Sequence, residues 1–551
     1  MLLRPLTRPS PVAVEALLAG AVAATLATLL FLFGPAGSDL AAHGYQTSFL
    51  GHDGLALWND YWYAGRYSFV TYSLLYYPFA WLIGVKPLAV LSIAAAALAF
   101  SVVVTREWGP QGRWSSRTFG VVWAGMVLSG AFPFALGAAL ALFALWPLQS
   151  GRRGRFALLA ASTLAASPVA FLLLAIVLAG YVLGRRWTSR DVFVAGSMAS
   201  LALVEVVLWR LFPSHGRFPF SAAELGAAVA FCVGGAAVTW RVPRARILSW
   251  MFVVYLAACV ATYLVPSAVG ENVARLRFAA APLMLLAVSL RRWRPPAVCV
   301  TALVLATMWN VTPLIGSYRK GESDTSDSAA YWRPAIDFLH SHLTPSYRVE
   351  AVDTADHWPA VYLPEAGIPI VRGWFRQDDF PVNSILYGGT LTGAAYIAWL
   401  RSLGVRYVVL PDAQLDYSAR REAALLRSGA SGLRVAFRSP HTTIFDVPDA
   451  QPIVTGPGAA DVESMTHDGL VVRVDRPGLY RVATSWSPYW HARGACVEPN
   501  GDGMTRLVAR RPGTVRLEFD VTASAALGAL VGRQPQGCGE AAQPDRALPT
   551  S

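Results

Sequence analysis

Long apolar runs lie only before Tyr318, and this segregation constrains the chain more than any other feature. Before that point, apolar stretches follow one another with short arginine-bearing gaps. After it, apolar and polar residues alternate. A membrane span needs about 20 mostly apolar residues. The runs 12–33, 88–105, 191–212, 222–240, 247–265, 276–290 and 297–315 read as single spans. Two stretches, 118–148 and 156–184, are too long for one helix each. Both hold a break: Gly130-Ala131-Phe132-Pro133 in the first and Ser167-Pro168 in the second. Proline removes a backbone donor and ends or kinks a helix. Splitting both stretches predicts about 11 transmembrane helices over 1–317, with a first outer loop at 35–87. The run 68–84, rich in Tyr and holding Pro78, reads as juxtamembrane or partly embedded. Val12–Phe33 is long for the apolar part of a signal peptide, so it reads as a retained first span.

Charge assigns the sides. Only 15% of the 551 residues are charged, against about 25% in an average soluble domain. The net charge of +12 comes largely from arginines clustered between apolar runs. Arg4 and Arg8 open the series. Arg106, Arg113 and Arg117 follow, then Arg152, Arg153 and Arg155. Next come Arg185, Arg186 and Arg190, then Arg241, Arg244 and Arg246, and finally Arg291, Arg292 and Arg294. All fall on one side of the expected topology. Arginine and lysine are sparse on the other: Arg66, Lys86, Arg210, Arg217, Arg275 and Arg277. The bias predicts a multi-pass plasma-membrane protein with a cytoplasmic N-terminus. An odd span count then puts the C-terminal domain outside the cytoplasm. The basic balance does not indicate nucleic acid, because no basic patch with interleaved aromatics is present.

The C-terminal part divides in two by pattern. Residues 318–430 read as an α/β subdomain, with a helix at Tyr331–His342, a strand at 347–352, a helix at Ala394–Leu403 and a strand at Val405–Leu410. Residues 431–530 read as β-sandwich-like, from short alternating runs at Thr442–Val447, Leu470–Val474, Gly478–Trp486, Thr505–Arg510 and Thr514–Val521. The tail 531–551 is polar and reads as disordered. Cys232, Cys259 and Cys299 sit in apolar runs as small buried residues. Cys496 and Cys538 fall in the C-terminal domain, where they either form a disulfide or remain free thiols.

The chemistry-bearing residues concentrate near the first outer loop. Asp39 follows the first apolar run directly, and aromatic, amphipathic sequence follows it: Trp58-Asn59-Asp60-Tyr61-Trp62, then Gly65-Arg66, then Tyr76-Tyr77-Pro78. Such a segment is expected to lie along the membrane surface. Asp53 and Asp60 share the loop and are candidates to orient an acceptor or hold a divalent cation. No His/Asp cluster has strong ligand spacing, so any metal is unknown. His43 and His52 read as surface histidines. Arg275 and Arg277 stand at the outer mouth of a helix, against the charge trend, and arginine forks match phosphate oxygens; Arg66 is a weaker candidate. Glu205 lies inside an apolar run, where an acid is a functional hypothesis by default. Trp62, Tyr489 and Trp490 are candidates to stack on sugar rings. No nucleophile elbow, P-loop or dinucleotide fingerprint is present.

This N-terminal half resembles the membrane glycosyltransferases of the GT-C superfold. More narrowly, it is similar to the bacterial YfhO-type and 6-pyruvoyl-tetrahydropterin-synthase-related membrane proteins. The matching residues are Asp39 after the first helix, Trp62 to Arg66, and Tyr77-Pro78; Phe79 stands where a second proline is expected. Leu403-Gly404-Val405-Arg406-Tyr407-Val408-Val409 also looks like these families. The resemblance implies a polyprenyl-phosphate sugar donor, a cell-envelope glycan or lipid acceptor, and Asp39 as general base on the acceptor hydroxyl. It implies no certain cofactor beyond a divalent cation in some members. The competing reading is a non-catalytic lipid or glycan transporter or an envelope-assembly scaffold. Proline-broken helices fit a transporter, but the inverted repeats one should show are not visible.

Overall fold

A computed structural model describes residues 10–185, 188–214, 216–533 and 538. Arg4, Arg8, Arg186, the side chain of Arg190 and most of the expected disordered tail lie outside the described residues. The chain separates into two compact units. The first contains residues up to His43, Tyr72–Glu205 and Arg217–Glu322. The second contains Gly44–Thr71, Val206–Gly216 and the chain from Ser323.

The first unit is helical. Among the described residues, eight helical segments are long and apolar enough to cross a membrane, and the chain is a multi-pass membrane protein. The longest such segment, Val85–Ser129, holds 45 residues. It is a composite. A helix at Val85–Trp108 ends where Gly109 takes φ +63°, and a separate helix begins at Arg113. The expected breaks in the two long stretches coincide with helix boundaries. One helix ends at Ser129 and the next starts at Phe132; another ends at Ala166 and the next starts at Pro168. Local chemistry explains both starts. Pro133 and Pro168 occupy first-turn positions that need no donor. The Ser167 hydroxyl also accepts from Ala170 N. The run 68–84 holds no spanning helix: only Tyr76–Ile83 is helical.

The second unit is built on sheets. Arg348–Ala351 pairs in parallel with Val405–Pro411. Thr442–Asp446 then pairs antiparallel with Val405–Pro411, and Arg434–Arg438 lies on the edge. The strand expected to open the sandwich at 442–447 therefore belongs to the α/β sheet. Its Ile444 and Phe445 face a partner far back in sequence, which alternation cannot reveal. Two antiparallel four-stranded sheets follow. One orders Cys496–Pro499, Met504–Ala509, Gly478–Ser485 and Val454–Thr455; the other orders Trp490–Arg493, Gly513–Phe519, Gly469–Val474 and Ala460–Met465. Their inward residues, including Val472, Tyr480, Leu507 and Leu517, form one apolar core.

The first outer loop departs from expectation. Its residues Gly44–Thr71 belong to the second unit, with Trp58, Trp62, Tyr63 and Phe69 buried. Trp58 stacks on Phe519 at 4.9 Å, and Trp58–Asn59 pairs antiparallel with Arg66–Tyr67. Burying these aromatic faces in a protein core removes more apolar area from water than half-immersion at a membrane surface.

Candidate functional site in the helical unit

Asp39 sits where the chain leaves the first helix (Pro11–Phe33), and a glycine turn seats it. Ser38 N donates to Leu128 O at 3.1 Å. Gly130 takes φ +71°, and a Cβ there would lie 2.5 Å from Asp39 N. Gly37 is equally tight: its Cβ would meet Val127 O at 2.2 Å. The break that separates two membrane helices is thus the shelf on which the acid rests. Asp39 is half-buried, and its carbonyl accepts from His43 N at 3.3 Å, starting the helix Leu40–Asp53.

The second break builds the opposite wall. Ala165 O accepts from both Leu74 N and Leu75 N, at 2.9 and 3.0 Å. This pins the segment that carries Tyr72, Tyr76 and Tyr77. Those three rings, with Phe132, surround His43 at centroid distances of 5.7–6.1 Å. His43 Nδ1 lies 3.2 Å from the Tyr77 hydroxyl. Burial drives the His43 pKa down to about 3, and the positive charge of Arg275 adds to the fall. The ring is neutral at physiological pH.

Arg275 completes the group. It lies on a 3-10 helix, Gly270–Ala279, with its guanidinium 5.3 Å from the Phe134 ring centre. Desolvation raises the Tyr72 hydroxyl well above its usual range; Arg275 opposes that rise and the Asp39 carboxylate adds to it. Asp39 and Arg275 therefore act on the same tyrosine. Among the described residues, Arg275 is also the one charged residue lining an apolar cavity of about 160 Å³. The lining runs from Arg275 and Phe134 through Leu173 to Trp108 and Ile247. Trp108 Nε1 donates to Arg244 O at 2.9 Å, at the arginine-rich end. Arg275 thus stands at one end of an apolar slot, and its charge reaches His43 and, together with that of Asp39, Tyr72. That arrangement can take a proton from a hydroxyl and hold an anionic headgroup.

The other expected residues are placed elsewhere. Arg277 binds Glu224 at 3.0 Å and Glu271 at 3.6 Å, so its charge is already matched. Arg66, in the second unit, pairs with Asp378 at 2.8 Å and covers the Phe375 ring at 3.6 Å. Asp60 is buried there, accepting from Trp58 Nε1 at 3.1 Å and Thr484 Oγ1 at 2.9 Å. Asp53 is exposed and pairs with His467 at 3.2 Å. Among the described residues no group of three or more His, Cys, Asp or Glu could hold a metal ion.

The three stacking candidates need correction. Trp62 and Tyr489 are 0% exposed and Trp490 is 3% exposed. Trp62 Nε1 donates to Ala360 O, the Tyr489 hydroxyl to Leu211 O and Trp490 Nε1 to Ser485 O. Rings enclosed in this way have no free face for a sugar. Cys496 and Cys538 are joined in a disulfide, with Cα atoms 5.8 Å apart. Glu205 is half-buried.

No family model matches the chain, and no curated protein matches it. Solved structures do. The chain is similar to the arabinofuranosyltransferase AftD from Mycobacteria, at 14% identity and a TM-score of 0.47, over 92% of this chain and 57% of that one. Against the R1389S mutant of the same protein the TM-score is 0.49, over 93% and 60%. The chain thus spans less than two thirds of the arabinofuranosyltransferase. It is also similar to the oligosaccharyltransferase of Archaeoglobus fulgidus, at 12% identity and a TM-score of 0.33, over 72% of this chain and 69% of that one. Both neighbours are glycosyl-transferring enzymes.

Sequence reasoning missed His43, Tyr72 and Gly130. His43 was expected at the surface and is 0% exposed. A signal was available: it follows Asp39 by one helical turn, so both project from one face. The role of Gly130 had no local signal, because its partner lies at residue 39.

Proposed function

We propose that the chain is a membrane glycosyltransferase that uses a polyprenyl-phosphate sugar and a cell-envelope acceptor, with Asp39 as general base. The observation that carries this reading is the apolar slot lined by Arg275, whose charge acts with that of Asp39 on Tyr72. A long isoprenoid tail suits an apolar channel between helices, and a phosphate suits the single guanidinium at its end. Asp39 then faces the anomeric carbon's side of the phosphate and removes the acceptor hydroxyl's proton as that oxygen attacks. The C–O bond to the acceptor forms, and the polyprenyl phosphate leaves with the bonding pair. Neutral His43, held by Tyr77, keeps a second positive charge away from the base. Arg277 and Arg66 have no part in this, since each is paired with carboxylates.

The topology belongs to the same proposal. Taking the helices on either side of the Gly109, Gly130 and Ser167 breaks as separate spans gives about 11, with Arg153–Ala166 (14 residues) and Pro168–Leu183 (16 residues) as short ones. The arginine bias then puts the N-terminus in the cytoplasm and Asp39 on the outer side.

Lipid binding tests the slot apart from the chemistry. Purified protein is incubated with polyprenyl phosphate, and the retained lipid is measured. Arg275→Gln and Ala138→Trp, which fills the slot, each reduce retention about tenfold or more, the loss of one charge-assisted phosphate contact or of the tail's seat. Asp39→Asn retains the lipid. Equal retention by wild type, Arg275→Gln and Ala138→Trp removes the slot from donor binding.

A further inference from the structure

A second recess lies on the helical unit. A groove of about 550 Å³ opens between the helices Ala222–Thr239 and Arg246–Leu264. Its bed is apolar: Val233 and Ala236 from the first helix, Phe252, Val253 and Leu256 from the second. Small residues make the depth. Ala236 and Ala237 add only methyl groups, and Gly235 lets Phe252 lie flat against the helix, since a Cβ there would come within 2.5 Å of the ring.

Only one end of the groove is charged. Arg241 and Arg291 line it there, beside Trp240, which is 65% exposed. Arg291 is fixed in place: its Nη1 donates to Ala237 O at 3.2 Å and Val238 O at 2.9 Å, and its Nε donates to Arg294 O at 2.5 Å. Among the described residues no acidic side chain pairs with Arg241 or Arg291. Arg244, Arg246, Arg292 and Arg294 are exposed in the adjoining turns.

The geometry points to a bound anionic phospholipid. Its phosphate lies between Arg241 and Arg291, and an acyl chain lies along Val233, Ala236, Val253 and Leu256. Both walls are candidate membrane spans, so the bed faces hydrocarbon, and an exposed tryptophan at the charged end marks the headgroup level. Basic pockets between spans recognise anionic headgroups, and two guanidinium groups select them over zwitterionic lipids. A free phosphate would use the arginines and leave the apolar bed empty. Arginines that merely snorkel to the interface would need no groove.

The full-length protein in detergent tests this by native mass spectrometry. It is incubated in parallel with phosphatidylglycerol, phosphatidylcholine and inorganic phosphate. One phosphatidylglycerol is retained about tenfold more strongly than phosphatidylcholine, as two surface charges require. Arg241→Gln and Val233→Trp, both at exposed positions that leave the helix core intact, each abolish that preference. Arg275→Gln leaves it unchanged, which separates this site from the slot proposed for the donor. Equal retention of the two lipids overturns the proposal. So does an unchanged preference in Arg241→Gln and Val233→Trp. Displacement of the lipid by millimolar-range phosphate would assign the arginines to a soluble anion instead.

Discussion

His43 shows how burial changes what a residue type means. Its folded pKa, lowered to about 3, lies below the usual value of 6.5. Protons therefore bind the unfolded chain more readily than the folded one between those values. The stability from keeping His43 neutral is fully present above pH 6.5. It falls as pH drops toward 3, by about 1.4 kcal/mol per unit. Thermal unfolding in detergent at pH 7 and pH 5 measures the loss, and His43→Gln shows a smaller drop than wild type; an identical drop would place the titration elsewhere. Trp490 makes the complementary case. Because it packs edge-on against both Trp58 and Phe519 at ring distances of 5.5 and 5.6 Å, Trp490→Ala costs stability, about 3–5 kcal/mol. Glycan affinity per folded molecule stays unchanged. A selective loss of glycan binding with normal stability would restore the stacking role. Aromatic residues in turns look alike in sequence whether they serve a core or a ligand; only the strand Gly513–Phe519 laid over Trp58 and Trp490 decides it.

At the scale of elements, the two helix breaks carry the candidate site. Both were legible, because Gly130-Ala131-Phe132-Pro133 and Ser167-Pro168 remove helix-compatible backbone in otherwise unbroken apolar runs. Their function as seats was not legible. The shelf under Asp39 forms between residues 37–40 and 127–131, and the Tyr72–Tyr77 segment hangs from Ala165, both contacts across long sequence gaps. Gly130 tests the shelf. Alanine there must adopt φ +71° and place a methyl 2.5 Å from Asp39 N. Gly130→Ala therefore costs about 1–3 kcal/mol and displaces the acid. Sugar transfer by the purified variant falls well below wild type while bound polyprenyl phosphate stays near wild type, because Arg275 sits on another helix. Wild-type transfer by Gly130→Ala would show that Asp39 does not depend on this turn. The loop 44–71 fared differently. Its amphipathic aromatics suggested a membrane surface, yet amphipathicity states only that one face is buried, and here the partner is the sheet unit.

For the whole molecule, the split into apolar runs and alternating sequence foretold the helical unit and the sheet unit, because hydrocarbon and water select opposite patterns. The sheet unit's edges were less visible. The strand 442–446 pairs with Val405–Pro411 and carries 434–438 on its other edge, and the helix Ala523–Leu530 was not anticipated from its small residues. The disulfide joins positions 42 residues apart. Removing such a link costs about 2–4 kcal/mol, mainly by freeing the unfolded chain. Cys496→Ser lowers the unfolding midpoint of the oxidised protein and leaves that of the reduced protein unchanged; equal midpoints under oxidising conditions would show that the bond does not form. The central claim, that the end of the apolar slot is a catalytic site, rests on Asp39. A positioned general base contributes about 10²- to 10⁴-fold. The direct measurement is turnover of a labelled polyprenyl-phosphate sugar on a cell-envelope acceptor, at saturating donor, by wild type and Asp39→Asn. The account predicts transfer by wild type and a kcat for Asp39→Asn lower by about 10²-fold or more with the donor still bound. Undiminished transfer by Asp39→Asn would contradict it.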